Sequence, residues 1–497
     1  MNLHLVLAAP FAAAILGFFL SGTDSKSALR TALVLALAIA GVSIPLATAG
    51  MVASASHTWF TVPVVGTEIK WLLTSDGVSG WLIALLSVLV PAVLLTAPRI
   101  VGEKMREFAA LVFLMQGFMV GALLAGDLLV FYGFFEAMLI PAVVLIGLFG
   151  GLHRRKAAMQ FFLFSLVGSA PMFFAIWWIA LSCQTTELSV VASRITTHLA
   201  PQFRVWLFAA VSLAFLVKLP VVPLHLWQAD AYSEGPAPSS ALLTGVMAKI
   251  GLYGFLRIVI PLFPMESARF SGLFVGLGLA TVLVGALLAL QQSHLRRVLA
   301  FSSLSHLGLG LAALFTFRPE AVSGVLLLMV AHGLSAAALF LLAGIAETWT
   351  KSSHVDDFGA LASRSPVFAV VFSFAALASV GLPGTAGFVA EFLLLVAIFK
   401  VYGLWVAALA GLTVILSAAY TLRLVQRLLY GTPALACPEK QDLSISEVVA
   451  LAPILVALIL FGFYPSPIMK AVRSDLLTRL PVAQAIASED AAHASGR

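Results

Sequence analysis

The sequence predicts an all-α, polytopic membrane protein with about fourteen transmembrane helices. Three observations carry that expectation. Of 497 residues, 61% are apolar and only 10% are charged, whereas a soluble domain is about a quarter charged. So few charges cannot cover the water-facing surface of a globule this large. The apolar residues also fall in continuous runs of roughly 20, the length of helix that crosses a hydrocarbon core about 30 Å thick. The runs lack the period-two alternation of barrel strands, which leaves helices.

In chain order the runs lie near residues 3–20, 29–50, 78–97, 108–125, 128–149, 157–181, 205–227, 238–260, 271–290, 297–317, 321–346, 367–399, 402–422 and 447–464. The first reads as a span and not a signal peptide, because Met1-Asn2-Leu3-His4 places no Lys or Arg ahead of it. Loop charges separate the others and orient them. With the N-terminus outside, the inner loops hold Lys26, Arg30, Arg99, Lys104, Arg106, Arg154, Arg155, Lys156, Arg296, Arg297, Lys351, Arg364, Arg423, Arg427 and Lys440, fifteen in all. The outer loops hold seven: Lys70, Arg194, Arg204, Arg257, Arg269, Arg318 and Lys400. Both termini are therefore expected on the outer side, and an even number of spans agrees.

Two runs are interrupted. The seventh contains Lys218-Leu219-Pro220-Val221-Val222-Pro223, and the twelfth contains Gly381-Leu382-Pro383-Gly384. The twelfth is also about 50 Å long if fully helical, too long for one straight crossing. Proline and glycine break helices and leave backbone groups free to line a cavity. Broken helices five spans apart are the layout of an inverted-repeat transporter. The expected organisation is residues 1–125 (spans 1–3 and the start of a first repeat), 126–262 (the rest of that repeat, to span 8), 263–430 (a second repeat, spans 9–13) and 431–497 (the last span and a tail with no assigned function).

Several function classes drop out. A net charge of +6 with no long basic run gives no footing for nucleic acid. Cys183 and Cys437 are too few for a cluster or a disulfide framework. No glycine-rich phosphate loop is present, and no carboxylate–histidine group has metal-ligand spacing on one helix. What remains is charge inside the spans. Glu136 lies nine residues after Asp127, near mid-membrane; Lys218 sits at the break of the seventh run; Lys249 lies in Gly245-Val246-Met247-Ala248-Lys249-Ile250-Gly251; Glu391 lies eight residues beyond Pro383. His306 and His332 are each inside an apolar span. A buried ion pair can serve only to lock helices and contributes little stability. Four intramembrane charges are costly enough to mark an ion path. Protons suit these residues, since a lysine that gains and loses a carboxylate partner can load and release one, and histidine titrates near neutrality.

These residues resemble the antiporter-like membrane subunits of respiratory complex I, an NADH–quinone oxidoreductase. The matching stretches are Gly126-Asp127-Leu128-Leu129-Val130-Phe131-Tyr132-Gly133-Phe134-Phe135-Glu136, Lys218-Leu219-Pro220-Val221-Val222-Pro223-Leu224-His225-Leu226-Trp227, the Lys249 stretch above, Ser302-Ser303-Leu304-Ser305-His306-Leu307-Gly308 and Gly381-Leu382-Pro383-Gly384-Thr385-Ala386-Gly387-Phe388-Val389-Ala390-Glu391. The L- and N-type subunits and the D-type antiporter subunit carry lysine where Glu391 stands, so the chain is most similar to the M-type subunit (chain 4). The resemblance implies that Glu136 and Lys218 form the ion pair of an entry half-channel, that Lys249 is the central lysine, and that His306 and His332 connect it toward Glu391. It keeps His225 but departs after Trp227. The family continues Leu-Pro-Asp-Ala-His, whereas this chain reads Gln228-Ala229-Asp230-Ala231-Tyr232.

The implied function is a proton-translocating membrane-arm subunit with no cofactor on this chain. NADH, flavin, iron–sulfur clusters and quinone would belong to partner subunits. Its neighbours would be the L- and N-type subunits, within the lipid bilayer of a cell inner membrane. The rivals are a subunit of a cation/proton antiporter and one of a hydrogenase- or ferredoxin-linked membrane complex.

Overall fold

A computed structural model describes residues 2–20, 24–48, 52–53, 57–62, 67–432 and 441–475. Cys437, Lys440 and the end of the tail lie outside them. Among the described residues, twelve helices are long and apolar enough to cross a membrane, and Leu3–Phe19 and Pro366–Ser379 are shorter apolar helices. Each expected run falls on one of these except the twelfth, which is divided between Pro366–Ser379 and the first part of Ala386–Tyr430, the helix that also holds the thirteenth. The exterior of the chain is apolar, unlike that of a soluble protein. Phe19, Trp206, Trp405 and Phe463 are at least 75% exposed, while Lys218, Lys249, His306, His332 and Glu391 are buried. An apolar exterior, with the few charged groups of the spans buried inside an apolar core, is what a bilayer requires.

Both expected breaks are present. The helix Pro201–Lys218 stops at Lys218, the chain turns through residues 219–227, and the half-helix Gln228–Glu234 follows. Pro220 and Pro223 supply no amide donors there. The carbonyls this leaves are met in part by Val221 N–H, which donates to Leu216 O, and by the Trp227 indole, which donates to Val217 O at 3.1 Å. In the twelfth span the helix Pro366–Ser379 ends, and a turn with Gly381 (φ 83°) and Gly384 (φ 91°) leads into a helix beginning at Ala386. Only glycine takes such angles at no steric cost. The helical stretch Ala386–Tyr430 is 45 residues long and breaks at Gly403, where φ is 75° and ψ is −171°. That break divides the twelfth run from the thirteenth.

Several elements were not foreseen. Strand His57–Val62 pairs antiparallel with Thr67–Trp71, and Val52–Ala53 pairs with Thr74–Ser75, between the second and third spans. A helix Leu188–His198, too polar to span, follows the sixth. Past the last span, Ile445–Phe463, a short helix Ser466–Asp475 buries Ile468 and Val472. It lies against the start of the third span, where a Cβ on Gly77 would come within 2.6 Å of Ala471 Cβ. The last span itself backs the break in the twelfth. A Cβ on Gly462 would lie 2.2 Å from Gly384 O.

Candidate functional site

The helix that carries Glu136 is fixed at its start by Asp127. This buried carboxylate caps Leu128–Ala137 by accepting from Leu129 N at 2.9 Å and Val130 N at 3.2 Å, and it accepts the Thr186 hydroxyl at 2.5 Å. Pro141 lacks the N–H that would bond the Ala137 carbonyl, and the helix is interrupted at Met138, two residues past Glu136. Glu136 is therefore held beside a loosened turn, half-buried, with the Ser169 hydroxyl next to it.

Glu136 and Lys218 do not close into an ion pair. Each feels the charge of the other, but Lys218 Nζ and Glu136 Oε1 have no hydrogen-bond partner. Lys218 instead holds its ammonium over aromatic faces, 4.8 Å from the Phe135 ring and 5.9 Å from that of Phe161. Cation–π attraction of this kind gains strength when desolvated. The lysine also stands in the last turn of its helix, where the negative end of the macrodipole favours a cation. The expected ion pair is thus not formed in this structure; the ammonium lies over the phenylalanine rings instead.

The second half is assembled. Around Lys249 the eighth span widens: Leu243–Met247 and Phe255–Val259 are π-helical, and Ala248 N–H bonds back five residues to Leu243 O at 3.0 Å. Such widened turns free carbonyls and recur at functional sites. Here the freed Thr244 carbonyl accepts from Lys249 Nζ. The same ammonium lies 2.8 Å from His332 Nδ1 on the long helix Pro319–Thr350. The His332 ring is 5.5 Å, centroid to centroid, from that of His306 on Leu295–Leu314. His306 Nδ1 in turn is 2.9 Å from Glu391 Oε1. Lys249, His332, His306 and Glu391 thus form one buried line across four helices. Gly381 makes room at its end, since a Cβ there would lie 3.0 Å from Glu391 Oε2.

Not every candidate joins a line. His225 is half-buried in the first break and its Nδ1 makes no hydrogen bond. Lys218 and Lys249 do not touch, although their helices do one and two residues further on: a Cβ on Gly251 would come within 2.8 Å of Leu219 Cβ. Tyr420, a buried residue of the thirteenth span, carries no signal in the sequence. Its hydroxyl donates to Ser302 Oγ at 2.9 Å and lies within electrostatic reach of Glu391. Arg296 and Arg297 are more than loop charges. Arg297 pairs with Asp230 at 2.6 Å, and Arg296 bonds both Glu347, at 2.9 Å, and the Gly235 carbonyl. Together they pin the half-helix after the first break to the helix that carries His306. Nearby, His294 sits between two spans under burial and the charges of Arg296 and Arg297, which push it down to about 4.

Comparison with known proteins places these residues in a family. The sequence model described as NADH:quinone oxidoreductase/Mrp antiporter, transmembrane, matches residues 125–417. NADH-ubiquinone oxidoreductase chain 4 of Marchantia polymorpha is 35% identical over 413 residues, 82% of each chain. NADH-quinone oxidoreductase subunit M of Rickettsia bellii (strain RML369-C) is 35% identical over 395 residues, 79% of this chain and 80% of that one. Among solved structures, a chain of respiratory complex I from Thermus thermophilus with bound NADH superposes with a TM-score of 0.86 at 32% identity, covering 98% of this chain and 99% of that chain.

Proposed function

This chain belongs to the NADH:quinone oxidoreductase/Mrp antiporter family of membrane proteins, and from that premise we propose that it is the M-type, proton-translocating subunit of an NADH–quinone oxidoreductase membrane arm. The observation that carries the reading is the buried line from Lys249 through His332 and His306 to Glu391. Electron transfer from NADH to quinone takes place on partner chains that hold the flavin, iron–sulfur clusters and quinone. The L- and N-type subunits are the neighbours, and the complex sits in a cell inner membrane with both termini of this chain outside. Spans 4–8 and 9–13 are the two inverted repeats, each with one broken helix.

The residues perform the transfer as follows. Lys218 is poised between two holds, the rings of Phe135 and Phe161 and the carboxylate of Glu136. A change in electrostatics from the partner chains moves it between them, and so alters the field felt by Lys249. A protonated Lys249 faces His332 Nδ1 and can release its proton there. His306 presents Nδ1 to Glu391 and leaves Nε2 without a partner. An imidazole that gains a proton on one nitrogen gives up the one on the other, so His306 receives at Nε2 and delivers to Glu391. The two protein states must differ in how they hold Lys218, since an effect without differential interaction shifts nothing.

The family is shared with cation/proton antiporters, and the glutamate at 391 favours the redox-driven member. A tagged chain extracted in mild detergent and run on a native gel stained for NADH oxidation separates the two. The proposal requires an NADH-active band of large mass containing the tag. A band with small membrane proteins and no NADH activity would move the chain to the antiporter or hydrogenase-linked assemblies.

A further inference from the structure

Lys218 is buried and its Nζ makes no hydrogen bond. A buried charge is costly unless something compensates it, so the groups that attract the ammonium decide where it rests. Two ring faces attract it, Phe135 at 4.8 Å and Phe161 at 5.9 Å. Both rings are buried, and the pull of a negative ring face on a cation is strongest where water is excluded. The two rings are not equivalent. Phe135 precedes Glu136 on the same helix and moves with that carboxylate. Phe161 stands on the sixth span, Arg154–Cys183, and draws the ammonium independently of it.

The place of Phe161 is tied to that of the lysine. Trp227 packs on it, 4.9 Å between centroids and tilted by 37°. The Trp227 indole in turn donates at 3.1 Å to the carbonyl of Val217, the residue before Lys218. Lys218, Phe161 and Trp227 thus close a circle of contacts across the break of the seventh span. Two turns along the sixth span from Phe161, on the same face of the helix, a Cβ on Gly168 would come within 2.6 Å of Val217 Cγ2. That close approach sets the depth of the sixth span against the last turn before Lys218. Leucine or methionine at 161 would fill a similar space, but neither presents a negative face to the ammonium.

We propose that Phe161, braced by Trp227, is a positioning residue whose ring draws the Lys218 ammonium away from Glu136 and holds it apart. This rests on the relay reading above. Without the pull of that ring, Lys218 rests on Glu136 and the field felt by Lys249 no longer changes. Phe161 itself neither gains nor loses a proton.

The test uses the whole complex in inverted membrane vesicles, with phenylalanine bearing one, two or three ring fluorines placed at position 161 by nonsense suppression. Fluorine withdraws electron density from the ring face and nearly keeps the ring's shape, so the attraction weakens in steps. Assembly on a native gel is expected at the level of the unmodified complex. NADH-driven proton uptake falls with each fluorine and by at least about fivefold with three, the rate equivalent of one such contact. The same series at Phe372 is the control. That ring is buried and stacked on Phe368 at 5.5 Å, and among the described residues no cation lies over it; uptake there stays unchanged. Unchanged uptake with three fluorines at 161 overturns the proposal. So does an equal decline at Phe372, a loss of the same size for one fluorine and for three, or failure of the single-fluorine complex to assemble, each of which would make the ring a matter of packing. Lys218→Ala and Glu391→Gln are measured in the same vesicles. If they too leave uptake unchanged, the relay reading itself fails. If they lower it while the fluorine series does not, only the aromatic hold fails.

Discussion

Gly381→Ala tests the second half of the site at a residue that touches no proton. Gly381 has φ 83°, and a Cβ added there would meet Glu391 Oε2 at 3.0 Å and Glu391 Cδ at 3.5 Å. A side chain in the left-handed region costs about 1–2 kcal/mol. The Glu391 carboxylate must also give way by a few tenths of an ångström, and it is held at 2.9 Å by His306 Nδ1. A hydrogen bond to a charged group contributes about 1.5–3 kcal/mol. If half or more of that bond is lost, the barrier of a step that depends on it rises by about 0.8–3 kcal/mol, a drop of roughly fourfold to a hundredfold, while the backbone strain lowers stability alone. The assay is NADH-driven proton uptake in inverted vesicles, with ferricyanide reduction by NADH as a control for the peripheral arm. The expected result is a large loss of uptake with ferricyanide reduction unchanged. Wild-type uptake from an assembled Gly381→Ala complex would refute the reasoning, since it would mean that the His306–Glu391 contact does not matter.

Other perturbations have equally definite outcomes. His332→Leu leaves Lys249 with the Thr244 carbonyl as its one partner; it should abolish most proton uptake and lower the melting temperature of the purified complex, an unsatisfied buried donor costing about 1–3 kcal/mol. Asp127→Ala removes the cap of the Glu136 helix and the partner of Thr186, with a cost of about 1–2 kcal/mol for the cap alone; less assembled complex on a native gel is the result to look for, and an unchanged amount would contradict it. For His294, burial and the neighbouring positive charges hold the folded value near 4, against 6.5 when unperturbed. The unfolded chain thus binds a proton first as pH falls, so the loops around His294 and His354 lose stability between about pH 6.5 and pH 4. Amide exchange in residues 292–295 and 353–355 should quicken over that window, and a flat profile would argue against it.

The spans were legible because hydropathy acts residue by residue, and so was the punctuation. Pro220, Pro223, Gly381 and Gly384 break helices through local geometry, and the chain breaks there. The intramembrane charges stood out by their cost alone. What the sequence could not disclose depends on distances between spans. Nothing in Leu243–Met247 announces a widened turn, yet that turn is why the Thr244 carbonyl reaches Lys249. Glu136 and Lys218 look like an ion pair when read from their charges, but Phe135 and Phe161 compete for the ammonium, and aromatic residues in an apolar run give no hint of which way they face. Gly403 is one glycine among 38, and only its φ shows that it divides two helices. Tyr420 was missed because a tyrosine in a lipid-facing run is unremarkable until the Ser302 hydroxyl is found beside it. The departures at Gln228 and Tyr232 had no reason in the sequence, and the fold shows only that the two side chains are neighbours.

The central claim is that protons cross this chain through Lys249, His332, His306 and Glu391. The most direct test is the number of protons taken up per NADH oxidised in vesicles carrying Glu391→Gln, a substitution that keeps the shape and a hydrogen bond to His306 but cannot be ionised. The account predicts a lower ratio with NADH oxidation by the peripheral arm intact. A ratio equal to that of the wild type would contradict it.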